Sequence, residues 1–362
     1  MTDLAPPGPR PMLSWLHSPA EDLRAAQVVY RGAWAGPPLR LHYSFDGWGV
    51  PPSEVELHRL GSGDLVSEPI DVTGRVVLDG AFTDGDEWDN NEELNYRLWV
   101  PFDPIDAHLH VSGPGTGNLG MPSLRSAMAS MGIQAGIVSW VDNRALSRLP
   151  LSDAGLYPLV WVRPEQTNVA EVGDRLSNGF CGIKLHPTVD DYPADTPSLD
   201  PYMKEALTSG RPVACHAAPG TADPDHIRAL AERFPEVPVI LYHTYLGPDE
   251  GRRRAVRHAK EVPNLYLETS WCRSDIVLEL IDEVGADRVL FGSDASIDGS
   301  PHYCRQPPNV DGVDTYLGVL RALASSLRPD EARKVTAENA QRLFGLARLP
   351  DDSGRAGSQR AG

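Results

Sequence analysis

Between about Val28 and Val100, hydrophobic residues come in short alternating runs: Val28-Val29-Tyr30, Leu39 to Tyr43, Glu54 to Leu57, Arg75 to Leu78 and Tyr96 to Val100. Turn-forming clusters such as Gly61-Ser62-Gly63-Asp64 and Thr83-Asp84-Gly85-Asp86 separate them. Alternation marks half-buried strands, and short strands between such turns predict a small antiparallel β-sandwich. After Pro101 the rhythm changes. Apolar, β-rich runs begin near Ile105, Ile133, Leu159, Gly182, Val213, Val239, Leu265 and Val289, eight in all and 23 to 31 residues apart. Several of the intervals carry helical spacing. Met203, Ala206 and Leu207 follow Asp200-Pro201 within Ser198 to Ser209; Ile227, Leu230 and Ala231 share a face between Asp223 and Phe234; Ile276, Leu280 and Ile281 do so between Ser274 and Val284. Eight strand–helix units of this size predict an α/β fold, a (β/α)8 TIM barrel behind the N-terminal antiparallel β-sandwich. A doubly wound open sheet would want a GxGxxG turn after its first strand, and Asp106 to Gly120 has none.

These patterns divide the chain into an N-terminal extension (1–25), the sandwich (26–102), the barrel (103–348) and a polar tail (349–362) with little to bury. Five of the eight tryptophans (Trp15, Trp34, Trp48, Trp88, Trp99) precede residue 100, whereas the internal histidine motifs follow it. A chain of 362 residues can bury a sizeable core without staples. Its formal net charge of −17 argues against nucleic acid or an anionic membrane as a partner. No apolar run is long enough to span a bilayer, and the Pro-rich start does not read as a secretory signal. The four cysteines, at 181, 215, 272 and 304, form no CxxC pair and read as buried reduced thiols of a cytoplasmic protein.

In a barrel of this kind, functional groups stand at the C-terminal ends of the strands. The first run closes Asp106-Ala107-His108-Leu109-His110, two imidazoles of one parity. The fourth closes Lys184-Leu185-His186, the fifth Cys215-His216, the sixth Tyr242-His243 and the eighth Gly292-Ser293-Asp294. An unpaired polar group closing an apolar strand costs several kcal/mol. Imidazoles and a carboxylate that converge on a divalent cation do not carry that cost, because nitrogen and carboxylate oxygen suit zinc and its neighbours. His226, on a helix, and His258, beside Arg252 to Arg254, read instead as solvent-facing.

The order HxH on the first strand, His on the fifth, His on the sixth and GSD on the eighth resembles the amidohydrolase superfamily. The phrases Ile105 to His110, Gly182 to Pro187, Phe291 to Asp294 and Asn339 to Leu346 resemble its amidohydrolase-related (amidohydrolase 2) branch. The resemblance implies one divalent metal, zinc by its donors, on His108, His110, His216 and Asp294. It implies a water activated by that metal, Asp294 as its proton acceptor, and His243 polarising the scissile group or shuttling a proton. Lys184 is either a carboxylated bridge between two metals or, the reading preferred here, a cation for a substrate carboxylate. His186, Trp271 and Arg273 would bind or wall the substrate, with 296–314 as a lid. The expected activity is hydrolysis of a lactone, ester or amide of a small polar molecule, anionic or sugar-like. The alternatives are a metal-dependent non-oxidative decarboxylase and a non-catalytic glycan-binding or assembly protein on a degenerate barrel. A homo-oligomer is compatible with either.

In the small domain, Leu41 to Trp48 and the Trp88-Asp89-Asn90-Asn91 segment followed by Asn95-Tyr96 resemble starch-binding carbohydrate modules. Two readings follow. Exposed tryptophans could stack on sugar rings, or Trp48, Trp88 and Tyr96 could fill the sandwich core with Asp89 to Asn91 as a turn; the second is preferred for the WDNN segment.

Overall fold

The computed structural model describes residues 12–17, 24–32, 39–111, 120–151, 155–295 and 316–346. The expected lid (296–314), the tail (349–362) and Cys304 lie outside the described residues.

Eight parallel strands form the barrel: β1 (Ile105–His110), β2 (Ala135–Ser139), β3 (Leu156–Val162), β4 (Gly182–Leu185), β5 (Val213–His216), β6 (Val239–Tyr242), β7 (Leu265–Glu268) and β8 (Val289–Leu290). They pair in sequence order, and the barrel closes between β8 and β1. Ala107 N–H donates to Phe291 (3.0 Å) and Asp294 N–H to His108 (2.8 Å), with Leu109 bridged to Ala295. Helices follow the strands where the spacing predicted them, Asp200–Ser209, Pro224–Arg233 and Ser274–Val284 among them. One of these starts carries a side-chain cap: Asp223 accepts the Asp225 N–H.

Strand alternation sorts the side chains. Val213 and Cys215 of β5 and Val239 and Leu241 of β6 pack on the helices, while Ala214, Ile240 and Tyr242 face the barrel interior. In β1 the alternation is broken once. Ile105 and Ala107 join the inner cluster, yet Leu109 joins the outer one, and the register with β2 shifts between Asp106 and Leu109. This bulge turns His108 and His110 into the barrel mouth without exposing Ile105 or Ala107, a use of bulges common beside active sites.

The N-terminal region is antiparallel. Its strands form one sheet that includes Leu13–Trp15, Val28–Tyr30, Ser53–Arg59, Leu39–Phe45, Val77–Thr83 and Tyr96–Trp99. The sheet curls until its ends meet, where Trp15 Nε1 donates to the Trp99 carbonyl (2.8 Å). It docks on the barrel helix Met121–Met131. Trp99 Nε1 donates to Met131 (2.8 Å), Asn91 Nδ2 to Ser126 (2.8 Å), and Arg97 reaches the Ser130 carbonyl. That helix ends on Gly132 at φ +72°, where a Cβ would meet the Trp99 ring at 2.8 Å. Burying Trp99 at this junction is worth about 3–5 kcal/mol if truncation is the measure.

Three expectations change here. Tyr96 is buried, but Trp48 and Trp88 are 38% and 54% exposed, so they do not belong to the core. The WDNN segment divides its work: Asp89 takes the hydroxyls of Tyr30 and Tyr96, Asn91 fastens the domain to the barrel, and Trp88 projects outward from a short edge strand. His258 is buried between helices, bonded to Asp225 (2.6 Å) and Arg228 (3.1 Å), because those two partners come from the preceding helix. His226 is the surface residue expected, paired with Asp195. The three described cysteines are buried and free.

Candidate metal centre at the barrel mouth

Six of the predicted residues come together. His108 Nε2 and His110 Nε2 lie 3.1 Å apart, and both face Asp294 Oδ1, at 3.1 and 3.0 Å. His243 Nε2 is 4.0 Å from Asp294 Oδ2 and 3.1 Å from His216 Nδ1. Lys184 Nζ is 3.4 Å from His108 Nε2 and sits 3.9 Å over the Tyr242 ring, which also stacks on His108. All of these side chains are buried.

The remaining three are placed differently. His186 forms a stack with Trp161 on one side and His216 (4.0 Å) on the other, and its Nδ1 accepts the Val189 N–H. Trp271 is bonded into the centre itself, Nε1 donating to Asp294 Oδ2 at 2.7 Å. Arg273 stands apart: it is exposed, and both arms of its guanidinium grip Asp275 (2.9 and 2.7 Å).

The strand ends are shaped to bring these groups together. His243, Trp271 and Asp294 adopt φ of +69°, +62° and +60°, a region that non-glycine residues rarely enter. Each turns the chain sharply as it leaves its strand, and such local strain gathers at sites whose surroundings over-determine it. Asp106, fully buried, accepts the N–H groups of His108 (2.9 Å) and Ser293 (3.1 Å), tying the HxH and GSD segments to each other.

Electrostatics favour neutral donors. Burial, then Lys184 and the neighbouring rings, pushes His108 well below the ordinary imidazole value. Burial likewise takes His243 down to about 4 and His186 to about 3, and lowers His216. Lys184 falls to about 8 for the same reason, against the pull of Asp294. Burial would raise Asp294, but the His110 and His243 rings and Lys184 outweigh it and hold the carboxyl below its usual range. At neutral pH His108, His186, His216 and His243 are thus uncharged imidazoles beside the Asp294 carboxylate.

That donor set fits a divalent cation. Asp294 Oδ1 is buried and makes no well-directed hydrogen bond, although two imidazole nitrogens flank it. His108, His243 and Asp294 each offer a ligand atom within 4.8 Å of the others. Nitrogen and oxygen donors packed this closely are what zinc and similar ions take up.

Two buried residues that the strand-end reading passed over belong to the centre. Glu268 ends β7, and its Oε2 is 3.1 Å from His108 Nδ1. Ser270 Oγ is 2.8 Å from His243 Nδ1 and donates to Glu268 Oε2 (2.7 Å). Burial pushes Glu268 up to about 8, opposed by the N–H and O–H groups aimed at it. A polar residue closing the apolar run Leu265-Tyr266-Leu267 was the available signal.

A parallel eight-stranded barrel with histidines and an aspartate gathered at the C-terminal ends of its strands defines an enzyme scaffold whose chemistry sits in the mouth. The amidohydrolase family model (Amidohydro_2) matches residues 105–346, and the chain belongs to that family, within the amidohydrolase superfamily of enzymes. Among solved structures, an amidohydrolase from Burkholderia multivorans with bound HEPES is 16% identical, covering 67% of this chain and 99% of its own, with a TM-score of 0.52. A probable 2-pyrone-4,6-dicarboxylic acid hydrolase from Acinetobacter baumannii with citric acid bound is 15% identical, covering 67% and 100%, TM-score 0.50. A 5-carboxyvanillate decarboxylase from Novosphingobium aromaticivorans, complexed with manganese, is 14% identical, covering 68% of this chain and 96% of its own, with a TM-score of 0.46. At such identities the likeness is one of fold. No curated protein matches the sequence. Among the described residues, no helix is long and apolar enough to cross a membrane.

Proposed function

We propose that the barrel is a metal-dependent hydrolase acting on the lactone, ester or amide carbonyl of a small polar substrate, anionic or sugar-like. The observation that carries this reading is the convergence of His108 Nε2 and His110 Nε2 on a buried, otherwise unbonded Asp294 Oδ1. His108, His110, His216 and Asp294 would hold one divalent ion, zinc by the nature of its donors. Bound there, the ion polarises a carbonyl and brings the pKa of water toward neutrality. Asp294 would take the proton of the attacking water, and neutral His243 would accept that proton at Nε2 and pass it to the leaving group. Lys184, a buried cation beside His108, pairs with a carboxylate on the substrate. The stacked rings of Trp161 and His186 wall the mouth. Arg273, held by Asp275, has no part in this scheme.

The test is Asp294→Asn, with elemental analysis of protein purified without chelators and turnover over a panel of lactones, esters and amides. The expected result is one metal per wild-type chain, and neither metal nor turnover in the variant. A metal-free, inactive wild type would sink the proposal. Release of carbon dioxide from an acid substrate would replace it with decarboxylation, and a carboxylated Lys184 with two metals would replace the one-metal site.

We propose, as a second reading, that the N-terminal domain binds a sugar face. His42 lies between two exposed tryptophans, stacked on Trp48 (5.8 Å) and edge-on to Trp88 (5.5 Å). Trp48 is held outward at φ +64° in a turn locked by Gly47 N–H to Asp79 (2.7 Å) and Gly49 N–H to Phe45 (3.0 Å). A bulky ring kept exposed at that backbone cost is a platform for a sugar face. Calorimetry with a soluble α-glucan tests it, and binding that survives Trp48→Ala with Trp88→Ala would refute it.

A further inference from the structure

Glu268 is a buried carboxylate that touches both His108 and His243. Its Oε2 faces His108 Nδ1 (3.1 Å) and takes the His243 backbone N–H (3.0 Å) and the Ser270 hydroxyl (2.7 Å), while Oε1 takes the Ser270 N–H. With those groups aimed at it, Glu268 in its ionised form can only accept, so His108 Nδ1 is then the donor in that contact. Ser270 has a single hydroxyl proton. Given to Glu268, it leaves the oxygen lone pair for His243, whose Nδ1 lies 2.8 Å away and therefore carries its own proton.

We infer that Glu268 and Ser270 are positioning residues that hold His108 and His243 as Nδ1–H tautomers, turning both Nε2 lone pairs into the barrel mouth. This rests on the metal reading above for its purpose, but not for its geometry. One imidazole is aligned directly and the other through a hydroxyl, so a single carboxylate sets a candidate ligand and the proton shuttle together. Fixing a ligand histidine through its second nitrogen is a general way to orient it and strengthen it as a donor.

The GSD segment supplies independent support. A Cβ on Gly292 would lie 2.3 Å from Glu268 Oε1 and 2.8 Å from its carboxyl carbon. Glycine at that position is therefore what leaves space for the carboxylate behind the histidines. Asp294, two residues on, comes to the centre on the same turn of chain. Position 292 thus serves the buried side of the site and position 294 its open side.

Long-range proton–nitrogen spectra of histidine-labelled protein read the tautomers directly. They are to be recorded with and without zinc at pH 9, above the range in which Glu268 takes up a proton. Wild type should show Nδ1–H for His108 and His243. Glu268→Gln should disturb both, Ser270→Ala should disturb His243 more than His108, and Ser270→Thr, which keeps the hydroxyl, should restore the wild-type pattern. In parallel, zinc affinity by calorimetry should fall about 10–100-fold in Glu268→Gln and Gly292→Ala, with far-ultraviolet spectra unchanged. Should Glu268→Gln fail to fold, Ser270→Ala and its threonine rescue still decide the matter. A wild type with Nε2–H on His108 or His243 in the zinc-free spectrum overturns the inference, as does zinc affinity unaffected by Glu268→Gln. A wild type that binds no zinc refutes the metal reading instead, and the zinc-free tautomers then judge this one.

Discussion

Acid should destabilise the metal-free barrel well above the range in which ordinary carboxylates titrate. The unfolded chain takes up protons on its histidines near pH 6.5, whereas folded His243 resists protonation down to about 4 and His186 to about 3. Between those values the unfolded state binds more protons, so stability rises with pH and is lost as pH falls. From pH 7 to pH 5 each of these two rings removes about 2 kcal/mol, about 4 together. Glu268 works the other way. Its folded value of about 8 lies above the unfolded 4.5, so over the same interval it adds back about 2.5 kcal/mol. Lys184 is charged in both states throughout that window, and Asp294, whose value is lowered, loses its contribution only below the usual carboxylate range. His108 and His216 are depressed as well and add losses of the same sign. The histidines win: about 4 kcal/mol lost against about 2.5 regained leaves a net loss of about 1.5 kcal/mol, which His108 and His216 deepen, against a typical total of about 5–15. Urea unfolding of chelator-treated protein at pH 7, 6 and 5, followed by circular dichroism, measures it. His243→Asn, which suits the left-handed backbone at that position, should shrink the loss by about 2 kcal/mol. Stability that is flat or higher at pH 5 would refute the electrostatic account of the centre.

Trp271→Phe keeps the ring but removes the N–H from Asp294 Oδ2, and should weaken zinc binding about tenfold in calorimetry without altering the fold. Replacing Trp48 or Trp88 by Ala should each weaken α-glucan binding about fivefold, roughly 1 kcal/mol per ring, and leave hydrolysis of small substrates unchanged. Asn91→Ala removes one bond to the barrel helix, to Ser126 (2.8 Å), and one within the small domain, to Asn95 (2.9 Å), and should cost about 1–3 kcal/mol in chemical unfolding.

The barrel was legible because its signals are local. Strand starts at Ile105, Gly182, Val213, Val239, Leu265 and Val289 follow from where apolar runs begin, and the helices from caps such as Asp223. The other two starts shift by two or three residues, to Ala135 and Leu156. The gathering of His108, His110, Lys184, His216, His243 and Asp294 was legible for a related reason: each closes an apolar run, and the barrel brings such ends to one mouth. What could not be read depends on partners distant in sequence or on backbone conformation. Glu268 matters because of His108, 160 residues earlier, and His243, 25 earlier. Arg273 was expected at the substrate, and its pairing with Asp275, two residues on, is a local contact that a motif reading overlooks. Trp48 and Trp88 looked like core because hydrophobicity alone cannot tell a buried ring from one turned outward by a left-handed turn or an edge strand.

The left-handed residues His243, Trp271 and Asp294 at the mouth make the site and the robustness of the molecule pull in opposite directions. Glycine at His243, Trp271 or Asp294 would relax the chain where it is most contorted, at the expense of the side chains that work there. Heat-resistant variants picked without regard to turnover should therefore collect changes at these positions and be inactive. Alanine scanning there would confuse backbone relief with lost chemistry, whereas asparagine at 294, at ease in that conformation, separates the two.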